Sequence, residues 1–241
     1  MATRLVQINM KARDDAALGA FWAEALGWEL SSEGPGVTNL EPAGFSYPDP
    51  VAVVVDLVVS AEPKTVKNRV HLDLATTSPA HQTSLVARLR ELGATLADVG
   101  QPGDASWTVM ADPEGNEFCV LDSLYEQTGP IATVVVDCAG PHRMAGFWGQ
   151  ATDWTVLKAT DDNAVLRSAQ GVGPYLQFLR NPDPKTVWNR VHLDIRPYPT
   201  DDLEIEATRL RTLGATLVDL DVPWKVLADP EGNEFCLLSP S

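Results

Sequence analysis

The sequence predicts an α+β fold of four βαβββ modules, arranged as two tandem domains, each with a cupped mixed β-sheet and helices outside. Three observations predict it: long blocks that recur in the same order, strict strand alternation, and helical runs that stop at glycine. PKTVKNRVHLDL at 63–74 returns as PKTVWNRVHLDI at 184–195, LGATL at 92–96 returns at 213–217, and ADPEGNEFC at 111–119 returns at 228–236. FWAEALGWEL at 21–30 is answered by FWGQATDWTV at 147–156. Four blocks in one order mean a duplicated domain. The division falls near Gln127-Thr-Gly-Pro130, giving domains at 1–127 and 128–241.

Within the first half each element has its own signal. Residues 5–11 alternate, with Val6, Ile8 and Met10 on one face and Gln7, Asn9 and Lys11 on the other, the pattern of a half-buried strand. Residues 15–26 carry Leu18, Phe21, Trp22, Ala25 and Leu26 at helical spacing and end at Gly27. Strands follow at 28–31, 36–41 and 51–59. The order then restarts with a strand at 68–75, a helix at 79–92 closed by Gly93, and strands at 95–98, 106–111 and 117–122. Asp-Pro-Glu-Gly-Asn at 112–116 is the tight turn between the last two.

Composition bounds the function. The chain has 241 residues, 44% of them hydrophobic and 21% charged, enough for a core in each half. A formal charge of −15 repels phosphate backbones and anionic lipid, which argues against nucleic-acid and membrane-surface roles. The longest apolar run, Val51–Val59, is far shorter than a membrane span and is interrupted by Asp56. The start of the chain lacks the apolar stretch of a secretion signal. Cys119, Cys138 and Cys236 form no CxxC pair and no even-numbered disulfide framework, so buried free thiols in the cytoplasm are expected. A monomer or homodimer acting on a small molecule fits these limits.

The module order, opened by NRVHLDL and closed by ADPEGNEFCVL, resembles the vicinal-oxygen-chelate superfamily, which includes glyoxalases, bleomycin-resistance proteins and extradiol dioxygenases. The resemblance covers nearly the whole chain, once per half, and is closest to the glyoxalase-like domain proteins. It implies an open cup between two modules, with metal ligands from the first and last strand of each. Carried onto the first half, this places Gln7, Asp56, His71 and Glu117 around a divalent metal, similar to the Gln/Glu/His/Glu set of glyoxalase I. Nitrogen and oxygen donors with one imidazole suit Zn²⁺, Ni²⁺, Mn²⁺ or Fe²⁺. Glu117 or Asp56 would then move a proton beside a metal-polarised oxygen in a lyase or isomerase step.

Other residues are expected to line the cups. Asn9 shares a face with Gln7, and Asp73 shares one with His71. Phe45 and Tyr47 lie on a loop, 42–50, that is longer than its counterpart near 168–173. Trp107 and Trp224 precede the closing turns and either stack on a planar ligand or pack in the core. In the second half Thr133 and Gln177 replace Gln7 and Asp56, whereas His192 and Glu234 are retained. The first half is therefore expected to carry the activity. Without metal the same residues would line a binding pocket, as in the resistance proteins that sequester an antibiotic. Extradiol dioxygenase chemistry requires two histidines on iron, but His81 and His142 fall near helix starts, leaving one pocket histidine per half. No GxSxG, P-loop or GxGxxG pattern occurs.

Overall fold

A computed structural model describes residues 3–47, 49–122, 125–220 and 222–240. The first module holds β1 (Arg4–Ala12), α1 (Asp15–Leu26), β2 (Glu29–Gly34), β3 (Val37–Glu41) and β4 (Val54–Val59). The second holds β5 (Val70–Leu74), α2 (Pro79–Glu91), β6 (Thr95–Leu96), β7 (Thr108–Ala111) and β8 (Glu117–Val120). The third runs through β9 (Ile131–Cys138), α3 (Pro141–Ala151), β10 (Trp154–Ala159), β11 (Asn163–Ser168) and β12 (Tyr175–Arg180). The fourth comprises β13 (Val191–Arg196), α4 (Leu203–Thr212), β14 (Thr216–Val218), β15 (Lys225–Ala228) and β16 (Glu234–Leu237). Helix α1 starts where the Asp14 side chain accepts from the Ala17 N–H and stops at Gly27, whose φ of 67° is left-handed.

The strands form two eight-stranded mixed sheets, in the orders β14-β15-β16-β13-β1-β4-β3-β2 and β10-β11-β12-β9-β5-β8-β7-β6. Each sheet takes one module from each half. Strand β1 pairs antiparallel with β13, and β5 pairs antiparallel with β9. The physical reason lies in the module itself. Its internal order leaves the first strand with one unpaired edge, and another first strand satisfies those backbone groups. Within a half, by contrast, the modules meet back to back through aromatic side chains. Phe21, Trp22 and Phe118 stack edge-on with centroids 5.1–6.3 Å apart, and Phe147, Trp148 and Phe235 repeat the arrangement. Trp22 and Trp148 are core residues, as their helical spacing predicts.

Two arginines lock the halves together. Arg190, opening β13, donates to the carbonyls of Lys11 and Glu62 and to Glu114 on the 112–116 turn. Glu114 also accepts from the backbone N–H groups of Arg13 and Asp14. Its counterpart Glu231 accepts from Ala139 and Gly140 and lies 3.9 Å from Arg69. This explains why the repeated NR and DPEGN blocks recur together: they are the two sides of one joint.

Candidate functional site

Alternation along β1 and β13 decides which side chains share the polar face of the first sheet. Ile8, Met10, Val191, Leu193 and Ile195 enter the core, leaving Gln7, Asn9, Lys11, His192 and Asp194 on the other face. Gln7 is registered with Asp194, and Asn9 with both His192 and Asp56. On β16, Cys236 lies beside Asp194. The Gln7 amide nitrogen donates to Asp56 Oδ2 at 2.6 Å and to Asp194 Oδ2 at 2.9 Å. Asn39 on β3 donates to Asp56 Oδ1 at 2.8 Å. His192 Nε2 lies 3.3 Å from Asp194 Oδ1 and 3.4 Å from Cys236 Sγ.

This network is nearly dry: Asp194 is 1% exposed, Cys236 6% and Asp56 7%. Burial pushes the Cys236 thiol well above its ordinary range, and the neighbouring Asp194 charge adds to the effect. The Trp224 indole, donating toward the sulfur, acts in the opposite direction. In the metal-free protein these surroundings favour the protonated thiol.

The corresponding face of the second sheet joins β5 and β8 to β9 and β12. His71 Nε2 lies 3.7 Å from Asp73 Oδ1, and Asp73 bonds to Cys119. Desolvation lowers the His71 pKa, with the Asp73 charge opposing it, and desolvation raises Asp73. Thr133 is registered with Asp73, and Val135 with both His71 and Gln177. Gln177 donates to Asn163 at 3.1 Å. The charges of Asp73, Asp137 and Glu117 all act on His71 here. The difference from the first sheet is at the position registered with the middle of the first strand, where Gln177 stands in place of Asp56.

The structure regroups the residues expected at the metal. Gln7 and Asp56 lie on the first sheet, whereas His71 and Glu117 lie on the second, so these four do not come together. The cause is the β1–β13 pairing, which delivers His192 and Asp194 from the other half to Gln7. Glu117 is held by Lys64 Nζ at 2.6 Å and by the Asn68 N–H at 3.1 Å. Glu234 is held in the same way by Lys185 and the Asn189 N–H. Both acids fasten the loop that leads into β5 or β13.

Tyr47 does reach the first sheet, its ring 5.0 Å from the Arg196 guanidinium, while Phe45 is half-buried in the same loop. Trp107 and Trp224 are 38% and 40% exposed, which removes the core-packing reading for both. The local sequence did not point to Cys119, Cys236 and Asp194 as site members. The available signal was parity: HLD and EFC each place two polar or sulfur side chains on one face.

The residues fit a divalent ion. His192, Asp194 and Cys236 bring one nitrogen, oxygen and sulfur atom within 4.8 Å of one another, and His71, Asp73 and Cys119 do the same. Imidazole, carboxylate and thiolate are all zinc donors, and three protein ligands leave a position for substrate. In the first sheet two carboxylates also converge on the single neutral amide of Gln7, a place where a dication relieves their repulsion. His192 Nδ1 and His71 Nδ1 are buried with no hydrogen-bond partner among the described residues.

A family model described as a glyoxalase-like domain matches residues 7–121 and again residues 133–238. Among solved structures, the chain is similar to glyoxalase I from Zea mays at 15% identity and a TM-score of 0.68, covering 99% of this chain and 92% of that one. Two single-substitution variants of that maize enzyme align at 16% and 18% identity, with TM-scores of 0.70 and 0.69. They cover 99% of this chain and 92% and 94% of theirs. At these identities the likeness shows the fold. No curated protein matches the chain.

Proposed function

The chain belongs to the glyoxalase-like domain family, and from that premise we propose a divalent-metal-dependent lyase or isomerase acting on a small molecule with two vicinal oxygens. The reactive site in this reading is the polar face of the first sheet, not the first half of the sequence. The observation that carries it is the convergence of Gln7, Asp56, His192, Asp194 and Cys236 in one buried network. His192, Asp194 and Cys236 would hold the metal, with Gln7 and Asp56 completing its surroundings. The ion supplies Lewis acidity, polarising the substrate oxygens.

This chain's own groups do the rest. Asp56, steadied by Gln7 and Asn39, is the base that takes and returns a proton at the carbon next to the bound oxygen. Trp224, half-exposed beside Cys236, gives a planar or apolar part of the substrate a surface to pack on. The low exposure of the network keeps competing water away. No helix among the described residues is long and apolar enough to cross a membrane. A cytoplasmic setting is proposed with this function, since a reducing compartment suits three free buried cysteines.

Metal analysis of protein purified without chelator or histidine tag tests the proposal. About one equivalent of metal, or a clear thermal shift with Zn²⁺, Ni²⁺ or Mn²⁺, is expected. Less than about 0.1 equivalent with no shift removes it, and favours a non-catalytic binder that sequesters an antibiotic-like compound. The exposed Trp107 and Trp224 support that second reading. Saturable tryptophan quenching by planar compounds in metal-free protein would establish it.

A further inference from the structure

We infer that Arg196, Arg4 and Tyr47 form an anion seat at one end of the first sheet's polar face, which selects a substrate carrying a carboxylate. The inference rests on the reading that this face is the reactive one. His192, Asp194 and Arg196 alternate with the core residues Val191, Leu193 and Ile195, so Arg196 follows the metal donors along a single face of β13. Arg4 is its registered neighbour on β1. The bulge between Leu5 and Gln7 buries Leu5 and Val6 in succession, which returns Arg4 to the face of Gln7.

Aromatic rings fix both guanidiniums. Arg196 lies 5.0 Å from the Tyr47 ring and Arg4 lies 3.9 Å from the Tyr198 ring. The charged groups felt by Tyr47 are two cations, Arg196 and Arg4, and one acid, Asp153. Asp153 is already engaged, accepting from the Tyr198 hydroxyl at 2.8 Å and lying 3.6 Å from Arg4. The Tyr47 hydroxyl is buried with no partner among the described residues, a donor in place for an incoming oxygen. Among the described residues, the charged side chains acting on Tyr47 are thus two cations to one acid, in a chain of net charge −15.

The second sheet is different at these positions, its Arg167 being tied instead to the Tyr175 hydroxyl and to the Gly173 and Glu126 carbonyls. At the repeat positions of Arg4 and Arg196 it carries Pro130 and Ala75, and no loop there matches the one that brings Tyr47. Spacing defines the ligand. Arg196 lies two residues beyond Asp194, about 6.6 Å along a strand. The substrate class is therefore a small acid whose reacting oxygens and carboxylate are separated by roughly that distance. The planar fork of arginine suits a carboxylate, which it binds through two parallel hydrogen bonds.

Calorimetric titration of the full chain with 2-oxoglutarate and with its dimethyl ester tests this, on EDTA-treated protein and after reloading with Zn²⁺. The diacid is expected to bind in both states and the diester in neither. Arg196→Met should weaken the diacid about tenfold or more, the loss of a charge-assisted pair, and Tyr47→Phe by a smaller factor. Arg196→Lys, which keeps the charge and guards against a folding defect, should fall between wild type and Arg196→Met. Lys67→Met, in the loop before β5, should leave affinity unchanged. Equal binding of diacid and diester, no binding of the diacid, or indifference to both Arg196 variants overturns the inference. Unchanged Zn²⁺ binding in Arg196→Met would then show that the proposed metal site survives its failure. Arginine-dependent diacid binding without Zn²⁺ binding would separate the two readings in the other direction.

Discussion

The Gln7 amide donates to Asp194 across 2.9 Å of space and 187 residues of sequence. That bond joins opposite halves of the chain in one polar network. It makes the sequence repeat and the site different units: each half contributes one module to each sheet.

The first prediction concerns the halves. Residues 1–127 expressed alone would leave the edges of β1 and β5 without β13 and β9, exposing backbone groups along both strands. The isolated half is expected to self-associate or precipitate, and mixing it with residues 128–241 during refolding should restore a one-to-one complex. Size-exclusion chromatography with light scattering checks this; a stable folded monomer of either half would contradict it.

The contrast marks what was legible in the sequence. Element order, the helix stops and the duplicated modules could be read because each depends on local periodicity. Residues 15–26 and 79–92 were predicted as helices, and α1 spans Asp15–Leu26 and α2 Pro79–Glu91. Which first strand pairs with which depends on edges far apart in the chain, and identical NRVHLD blocks in both halves carry no information on that choice. Position within one half therefore groups Gln7 and Asp56 with His71, whereas the β1–β13 pairing puts them on the sheet of His192. Asp194 and Cys236 were missed because an acid and a thiol in apolar strands read as isolated residues until β13 and β16 lie side by side.

Removing Glu114 should be costly. Its carboxylate and the Arg190 guanidinium lie 3.0 Å apart, with side chains 9% and 8% exposed, so Glu114→Ala leaves a nearly buried cation held by carbonyls but without its counter-charge. A loss of about 3–5 kcal/mol is expected, a drop in melting temperature of about 10 °C or more. Glu231→Ala should cost less, because Arg69 lies 3.9 Å from its carboxylate. Thermal melts of both variants decide the order.

Asp229 sets a pH dependence. Burial raises its pKa from 3.8 to about 6, against the hydrogen bonds donated by Asn233 and Glu231. The equivalent Asp112 has an extra donor in the Trp22 indole at 3.1 Å, whereas Trp148 Nε1 has no partner among the described residues. Because the folded pKa lies above the unfolded one, this carboxyl favours the folded state below about pH 4, and that advantage is lost as pH rises through about 6. Relative to wild type, Asp229→Asn should gain on the order of 2 kcal/mol between pH 4 and pH 7. Urea titrations at pH 4, 5.5 and 7 measure it, and a constant difference would rule the effect out.

The central claim is that Asp56 shares its metal site with His192 from the other half. The direct test is a pair of double-mutant cycles on Zn²⁺ affinity, measured by chelator competition at the tighter site. Asp56→Asn should couple to His192→Ala by about 1 kcal/mol or more, and should be additive with His71→Ala to within about 0.5 kcal/mol. Coupling to His71 with additivity at His192 would contradict the account.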